Sequence, residues 1–407
     1  MFSFWRDADS TARRALIAAL LGWMLDAFDV MLYALVLSSV REELNLSGEA
    51  AGGLQSLTLL ASALGGLVFG VIADRAGRTR ALMLSVLIYS IFTAACGFAQ
   101  TALQLAIFRI CLGIGMGGEW ASGAALVSET WSDRHRGKAL GLVQSGWAIG
   151  YALAALVAWL VQDVFGFGWR AVFFVGVAPA LFALWVRHAL EEPALWKAAR
   201  ARPTRMSLGR ALTGPMLGVT IAVTLMNAST MFAWWGFNTW VPSYLRQPTD
   251  VGGAGLSSTA MSWFIIFMQV GMWFGYVTFG FVADALGRKR TYVGYLLLAA
   301  VFVLVYTSTT NATALFWLGP ITAFFATGYF SGFGAVTAEL YPTEVRATAQ
   351  GLTYNVGRIA SAAAPYIVGG LTTTAGYGAA LSLASAAFVL AAGFWIFIPE
   401  TKGRQIQ

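Results

Sequence analysis

Five ionisable side chains stand inside apolar stretches of this 407-residue chain. Asp26 and Asp29 interrupt GWMLDAFDVMLYALVL, Arg109 and Glu119 interrupt AIFRICLGIGMGGEW, and Arg358 interrupts LTYNVGRIASAA. A charge at the centre of a lipid-facing helix costs about 2.5–3.5 kcal/mol on insertion scales, so each is a candidate for function. Asp26 and Asp29 are three residues apart and share a helix face, where burial and mutual repulsion favour a protonated acid. That suits a proton site, against the alternative of a structural pair with a neighbouring helix. Glu119, followed by Trp120, is a second proton carrier at similar depth, or else a fixed partner for Arg109 or Arg358. Arg358 stays charged and presents a planar donor fork that matches a carboxylate, which predicts an anionic ligand or a permanent salt bridge. Asn227, Tyr354, Asn355 and Trp120 could complete its surroundings.

These groups need helices to bring them to one depth. Hydrophobic residues make up 58% of the chain and charged residues 11%, against roughly 25% charged in a soluble domain. Twelve apolar stretches are long enough to cross a bilayer, at 16–41, 52–73, 81–98, 102–128, 139–162, 169–189, 213–245, 258–283, 291–309, 313–338, 347–374 and 376–398. Backbone groups in hydrocarbon must be satisfied within the segment, and no strict alternation marks a barrel, so the expected fold is an all-α membrane protein. At about 1.5 Å per residue, Asp26 and Asp29 lie roughly 15–20 Å from the inner end of the first stretch. Glu119 lies about 15 Å from the inner end of the fourth, and Arg358 about 18 Å from Arg346, so all four share the midplane.

The net charge of +7 comes from short basic clusters between the stretches rather than from one basic domain, which argues against nucleic acid. With both termini inside, Lys and Arg crowd the cytoplasmic connections, leaving Arg41, Arg170 and Arg246 outside, which is the orientation expected of an inner-membrane protein. The charged N-terminal segment and the aspartates of the first stretch do not fit a cleaved signal peptide. Cys96 and Cys111 lie within spans and are expected as free thiols. His135 and His188 are isolated, and neither metal-ligand spacing nor a phosphate-binding loop occurs, so neither an enzyme nor a metal or cofactor protein is expected.

GVIADRAGRTR at Gly70 to Arg80 reappears as GFVADALGRKR at Gly280 to Arg290, an offset of 210 residues. The same offset carries Glu129 onto Glu339 and Arg136 onto Arg346. Two parallel halves are therefore expected, 1–190 and 213–407, joined by a cytoplasmic linker at 191–212. Asp74, Arg75, Arg78, Glu129 and Arg136 in the first half, and Asp284, Arg288, Glu339 and Arg346 in the second, sit at span ends. They read as gate locks in which a carboxylate caps a facing helix or pairs with an arginine.

Gly70-x-x-x-Asp74-Arg75-x-Gly77-Arg78, Arg109-x-x-x-Gly113-x-Gly115-x-Gly117 and the PETKG at Pro399 to Gly403 resemble the signatures of the major facilitator superfamily. That resemblance covers nearly the whole chain and implies twelve transmembrane helices in two pseudo-symmetric six-helix bundles. It also implies structural or proton-coupling work for Arg109. GWMLDAFDVMLYALVL, GMGGEW and TYNVGR are similar to the metabolite-proton symporters, which include sialate and lactate or pyruvate permeases. The short linker leaves no room for the two extra spans of the sialate symporters, and the fifth span lacks the Gly-Pro signature of drug antiporters.

The expectation is a monomeric, proton-coupled symporter of a small organic anion, a monocarboxylate, working in lipid by alternating access with the proton as coupling ion. An efflux antiporter or a proton-independent facilitator is the alternative within transport. A nutrient sensor on a transporter scaffold is the other, and the short tails argue against it.

Overall fold

Short polar residues at the edges of the apolar runs start the helices. The computed structural model describes residues 5, 8–131, 133–182, 185, 192, 216–341 and 343–402. Among them the first unit carries α1 (Ser10–Glu43), α2 (Gly48–Ala76), α3 (Arg78–Cys96), α4 (Ala102–Thr130), α5 (Asp133–Trp159, running into a π turn over Leu160–Val164) and α6 (Trp169–Val175). The rest carries α7 (Met216–Arg246), α8 (Ser258–Leu286), α9 (Arg288–Thr307), α10 (Ala312–Gly328), α11 (Phe330–Leu340), α12 (Thr343–Ser361), α13 (Ala363–Thr374) and α14 (Tyr377–Phe394). Asp9 caps α1 by accepting from Ala12 N at 2.6 Å, and Thr101, Ser257 and Asn311 cap α4, α8 and α10 in the same manner.

Among the described residues, ten helical runs, α10 and α11 taken together as one, are long and apolar enough to cross a membrane. They coincide with all the sequence-read stretches except the sixth and eleventh. The sixth is seen as a shorter apolar helix over Trp169–Phe182. Of residues 183–215, which include the 191–212 linker, all but Trp185 and Glu192 lie outside the described residues. The eleventh is made of α12 and α13. Its first half carries Thr353, Tyr354, Asn355 and Arg358 among its apolar residues, so it does not read as a continuous apolar run. The tenth stretch is also two helices, α10 and α11, parted at Tyr329.

The described residues fall into two compact units, one drawn from 1–46 and 57–203, the other from 47–56 and 204–407. The first turns of α2 thus count with the second unit. In the first unit α1 is buried along most of its length. Small residues allow this: Gly150 of α5 faces the Met24 carbonyl and Gly146 faces that of Leu20, with no room for a side chain between the helices. Trp131 at the end of α4 donates from Nε1 to the Ala12 carbonyl at 2.8 Å, tying that end to the start of α1. In the second unit Trp240 of α7 donates to the Pro365 carbonyl at 2.9 Å, and Tyr244 to that of Thr309 at 2.7 Å.

The two repeated loops share one backbone device. Gly77 and Gly287, between α2 and α3 and between α8 and α9, adopt φ of +119° and +101°. Such values favour glycine, and they let the chain turn from one helix into the next without a linker.

Candidate functional site

The buried charges of the first unit converge. Asp26, Asp29 and Glu119 are each 1% exposed and Arg109 is fully buried. The Arg109 guanidinium lies 3.9 Å from the centroid of the Tyr33 ring, a cation–π contact between α4 and α1. Asp29 Oδ2 is 3.0 Å from Thr93 Oγ1 on α3. Tyr89, also on α3, is within electrostatic reach of Asp29, Asp26 and Glu119, and Cys96 within reach of Arg109 and Asp29. Glu119 faces Gly22 of α1, where any side chain would collide with its carboxylate. One helix thus holds two acids and an aromatic platform, a second a threonine and a tyrosine, and a third an arginine and an acid. Trp120 packs on Trp23 with ring centroids 4.6 Å apart, and Trp23 on Trp147 at 4.8 Å.

In the second unit Arg358 is 4% exposed. Its guanidinium sits 5.9 Å from the centroid of the Tyr354 ring, one helical turn back on α12. Among the described residues of its unit it forms no ion pair. Asn227 of α7 donates to the Thr353 carbonyl at 3.2 Å, which fixes α12 beside α7 next to Arg358. Asn355 spends its amide locally, donating to the Gly351 carbonyl at 2.9 Å.

The span-end motifs form a separate set. Arg78 Nε lies 3.0 Å from Glu129 Oε1, and Arg288 Nη2 lies 2.9 Å from Glu339 Oε1, so the offset of the repeat preserves the ion pair. Arg288 also pairs with Asp284 one turn away, and Thr401 donates to the second oxygen of Glu339. Arg75 is exposed. The side chains of Asp74, Arg136 and Arg346 lie outside the described residues.

The carboxylates that cap the helices after the repeated loops are Glu192 and Glu400, which sequence reading did not single out. Glu192 accepts from Thr79 N and Arg80 N, both at 3.2 Å, at the start of α3. Glu400 accepts from Arg288 N at 2.9 Å and Lys289 N at 3.1 Å at the start of α9. Each is a carboxylate at a helix N-terminus, where unpaired N–H groups and the helix dipole favour negative charge. Partial burial pushes the Glu400 carboxyl up, but the backbone N–H groups of Lys402, Arg288, Lys289 and Thr401 outweigh it and hold the group below its ordinary value. Lys289 and Lys402 lace the same loop, donating to the carbonyls of Ile398 at 3.2 Å and Ala285 at 2.7 Å. A signal was present: in both halves a glutamate next to a proline, EEP and PET, lies just beyond the sixth and twelfth stretches.

Three buried acids and a buried arginine in one helical unit, a buried arginine in another, and a repeated ion-paired loop define a polytopic membrane transporter. The chain belongs to the Major Facilitator Superfamily, whose family model matches residues 19–277 and 247–406. It is 33% identical to a putative metabolite transport protein of Haemophilus influenzae over 97% of each chain. It is 30% identical to the cis,cis-muconate transport protein of Acinetobacter baylyi, covering 95% of this chain and 94% of the other. In fold it is similar to a D-xylose-proton symporter, with a TM-score of 0.79 at 21% identity over 97% of this chain and 100% of that one. The chain is a multi-pass transporter of small organic metabolites, in the manner of the metabolite-proton symporters, and not an enzyme.

Proposed function

We propose that the protein takes up a small organic anion, a monocarboxylate, together with a proton, by alternating access in the inner membrane with both termini cytoplasmic. The observation that carries this reading is Arg358, a buried guanidinium with no ion-pair partner among the described residues of its unit. A charge kept in such a place is costly unless an anion arrives to meet it. Its planar fork matches a carboxylate, and a relative in Acinetobacter baylyi is named for an organic anion, cis,cis-muconate.

The acids of the first unit supply the proton site. Loading a proton there removes one negative charge, so that anion and proton binding favour each other by linkage and the loaded carrier approaches neutrality. Arg78 with Glu129 and Arg288 with Glu339 act as locks at the span ends. The carrier works as a monomer in lipid, with the proton as its only coupling species. Counterflow in proteoliposomes loaded with cis,cis-muconate, lactate, pyruvate, benzoate or a neutral sugar tests the substrate class. Exchange of carboxylates but not of the sugar is expected, and preference for the sugar would overturn the anion assignment.

A further inference from the structure

One hydroxyl in the first unit stands between two acceptors, and its hydrogen count bears on the proton of Asp29. Thr93 Oγ1, fully buried on α3, lies 2.8 Å from the Tyr89 carbonyl and 3.0 Å from Asp29 Oδ2. A threonine hydroxyl has one proton to give and two lone pairs to accept with. The carbonyl can only accept, it is the nearer of the two, and a helical threonine commonly bonds the carbonyl four residues back. That leaves a lone pair turned to Asp29. An ionised carboxylate gains nothing from a lone pair at this range, whereas a protonated carboxyl donates to it. The series Asp29 O–H to Thr93 O–H to Tyr89 C=O then uses each proton once.

The second carboxyl oxygen points the same way. Asp29 Oδ1 is buried and has no hydrogen-bond partner among the described residues. For a carboxylate that is a heavy desolvation cost, while for the carbonyl oxygen of a neutral acid it is a modest one.

We propose that Asp29 holds a proton in this structure, and that Thr93 is its positioning residue, accepting from the neutral acid while it donates to the Tyr89 carbonyl. The use of this proton in transport rests on the symport reading above. Asp26 stands one turn away on α1. Tyr89 and Cys96 of α3, and Arg109 and Glu119 of α4, complete the charged and titratable surroundings. Among the described side chains of α5, Tyr151 is a fully buried titratable group, and on α6 Arg170 is engaged with Glu43 at the far end of α1.

Infrared difference spectra of the full-length protein in liposomes, recorded as pH is stepped, read the C=O stretch of protonated carboxyls. Asp29→Asn should remove the band that responds to Thr93. Thr93→Val should move that band to the higher frequency of an acid without an acceptor, and shift its disappearance about one pH unit lower, tenfold in proton affinity. Thr93→Ser should restore both, and Thr93→Ala serves as a second deletion should the valine variant misfold. A shift to higher pH in Thr93→Val would mean that the hydroxyl donates to a carboxylate, and would overturn the proposal. So would a responding band that survives in Asp29→Asn but vanishes in Asp26→Asn or Glu119→Gln. If the band behaves as expected while pyruvate uptake in the same liposomes ignores a proton gradient, symport fails and the Asp29–Thr93 assignment stands.

Discussion

Replacing Arg358 with alanine should remove anion capture and leave the fold in place. The side chain is 4% exposed, rests 5.9 Å from the centroid of the Tyr354 ring and holds no described ion-pair partner in its unit, so deletion strands no carboxylate there. A bidentate contact supplies two hydrogen bonds to a charged group at about 1.5–3 kcal/mol each, of which about 3–4 kcal/mol is a fair net loss. At about 1.4 kcal/mol per factor of ten, binding should weaken at least about a hundredfold. Arg358→Lys keeps the charge but loses the fork, and about a tenfold loss is expected. Isothermal titration calorimetry of the purified protein with pyruvate and benzoate measures both. Alanine-variant affinity within about threefold of the unmodified protein, at an unchanged melting temperature, would refute the assignment of Arg358 as the anion anchor.

Three further expectations concern the span ends. Glu339→Ala leaves Arg288 with Asp284 alone and releases the Thr401 hydroxyl, and should lower stability by about 1–2 kcal/mol in thermal melts, the cost of losing hydrogen bonds in a half-buried ion pair. Gly287→Ala should cost about 1–3 kcal/mol, because φ there is +101° and the added carbon would sit 2.7 Å from a Glu400 oxygen. Glu400→Gln should cost about 1 kcal/mol through the weakened cap of α9. The folded Glu400 carboxyl titrates below its ordinary value of 4.5, so its contribution is complete above that pH and is lost as pH falls through the folded value. Melts of Glu400→Gln should therefore lack the part of the acid destabilisation that the unmodified protein shows in that window.

The buried charges could be read from sequence because lipid makes a charge conspicuous. Asp26, Asp29, Arg109, Glu119 and Arg358 all sit inside helices and are all buried. Arg78, Glu129, Arg288 and Glu339 could be singled out because the repeat sets one copy against the other, but which carboxylate each arginine takes could not. Thr93 and Tyr33 could not. Threonine and tyrosine are ordinary in apolar helices, and their importance comes from the approach of α3 and α4 to α1, which no local pattern encodes. Glu192 and Glu400 escaped for a related reason: each caps a helix more than a hundred residues earlier in the chain. The division of the tenth stretch at Tyr329 was also hidden. A proline does occur there, at Pro320, but it lies inside the continuous helix α10 rather than at the break.

Proton-driven accumulation of labelled pyruvate in proteoliposomes tests the central claim most directly. An imposed inward proton gradient should concentrate the label inside, a protonophore should abolish the accumulation, and Asp29→Asn should exchange label without concentrating it. Uptake of equal rate and extent with and without the gradient would contradict proton-coupled transport.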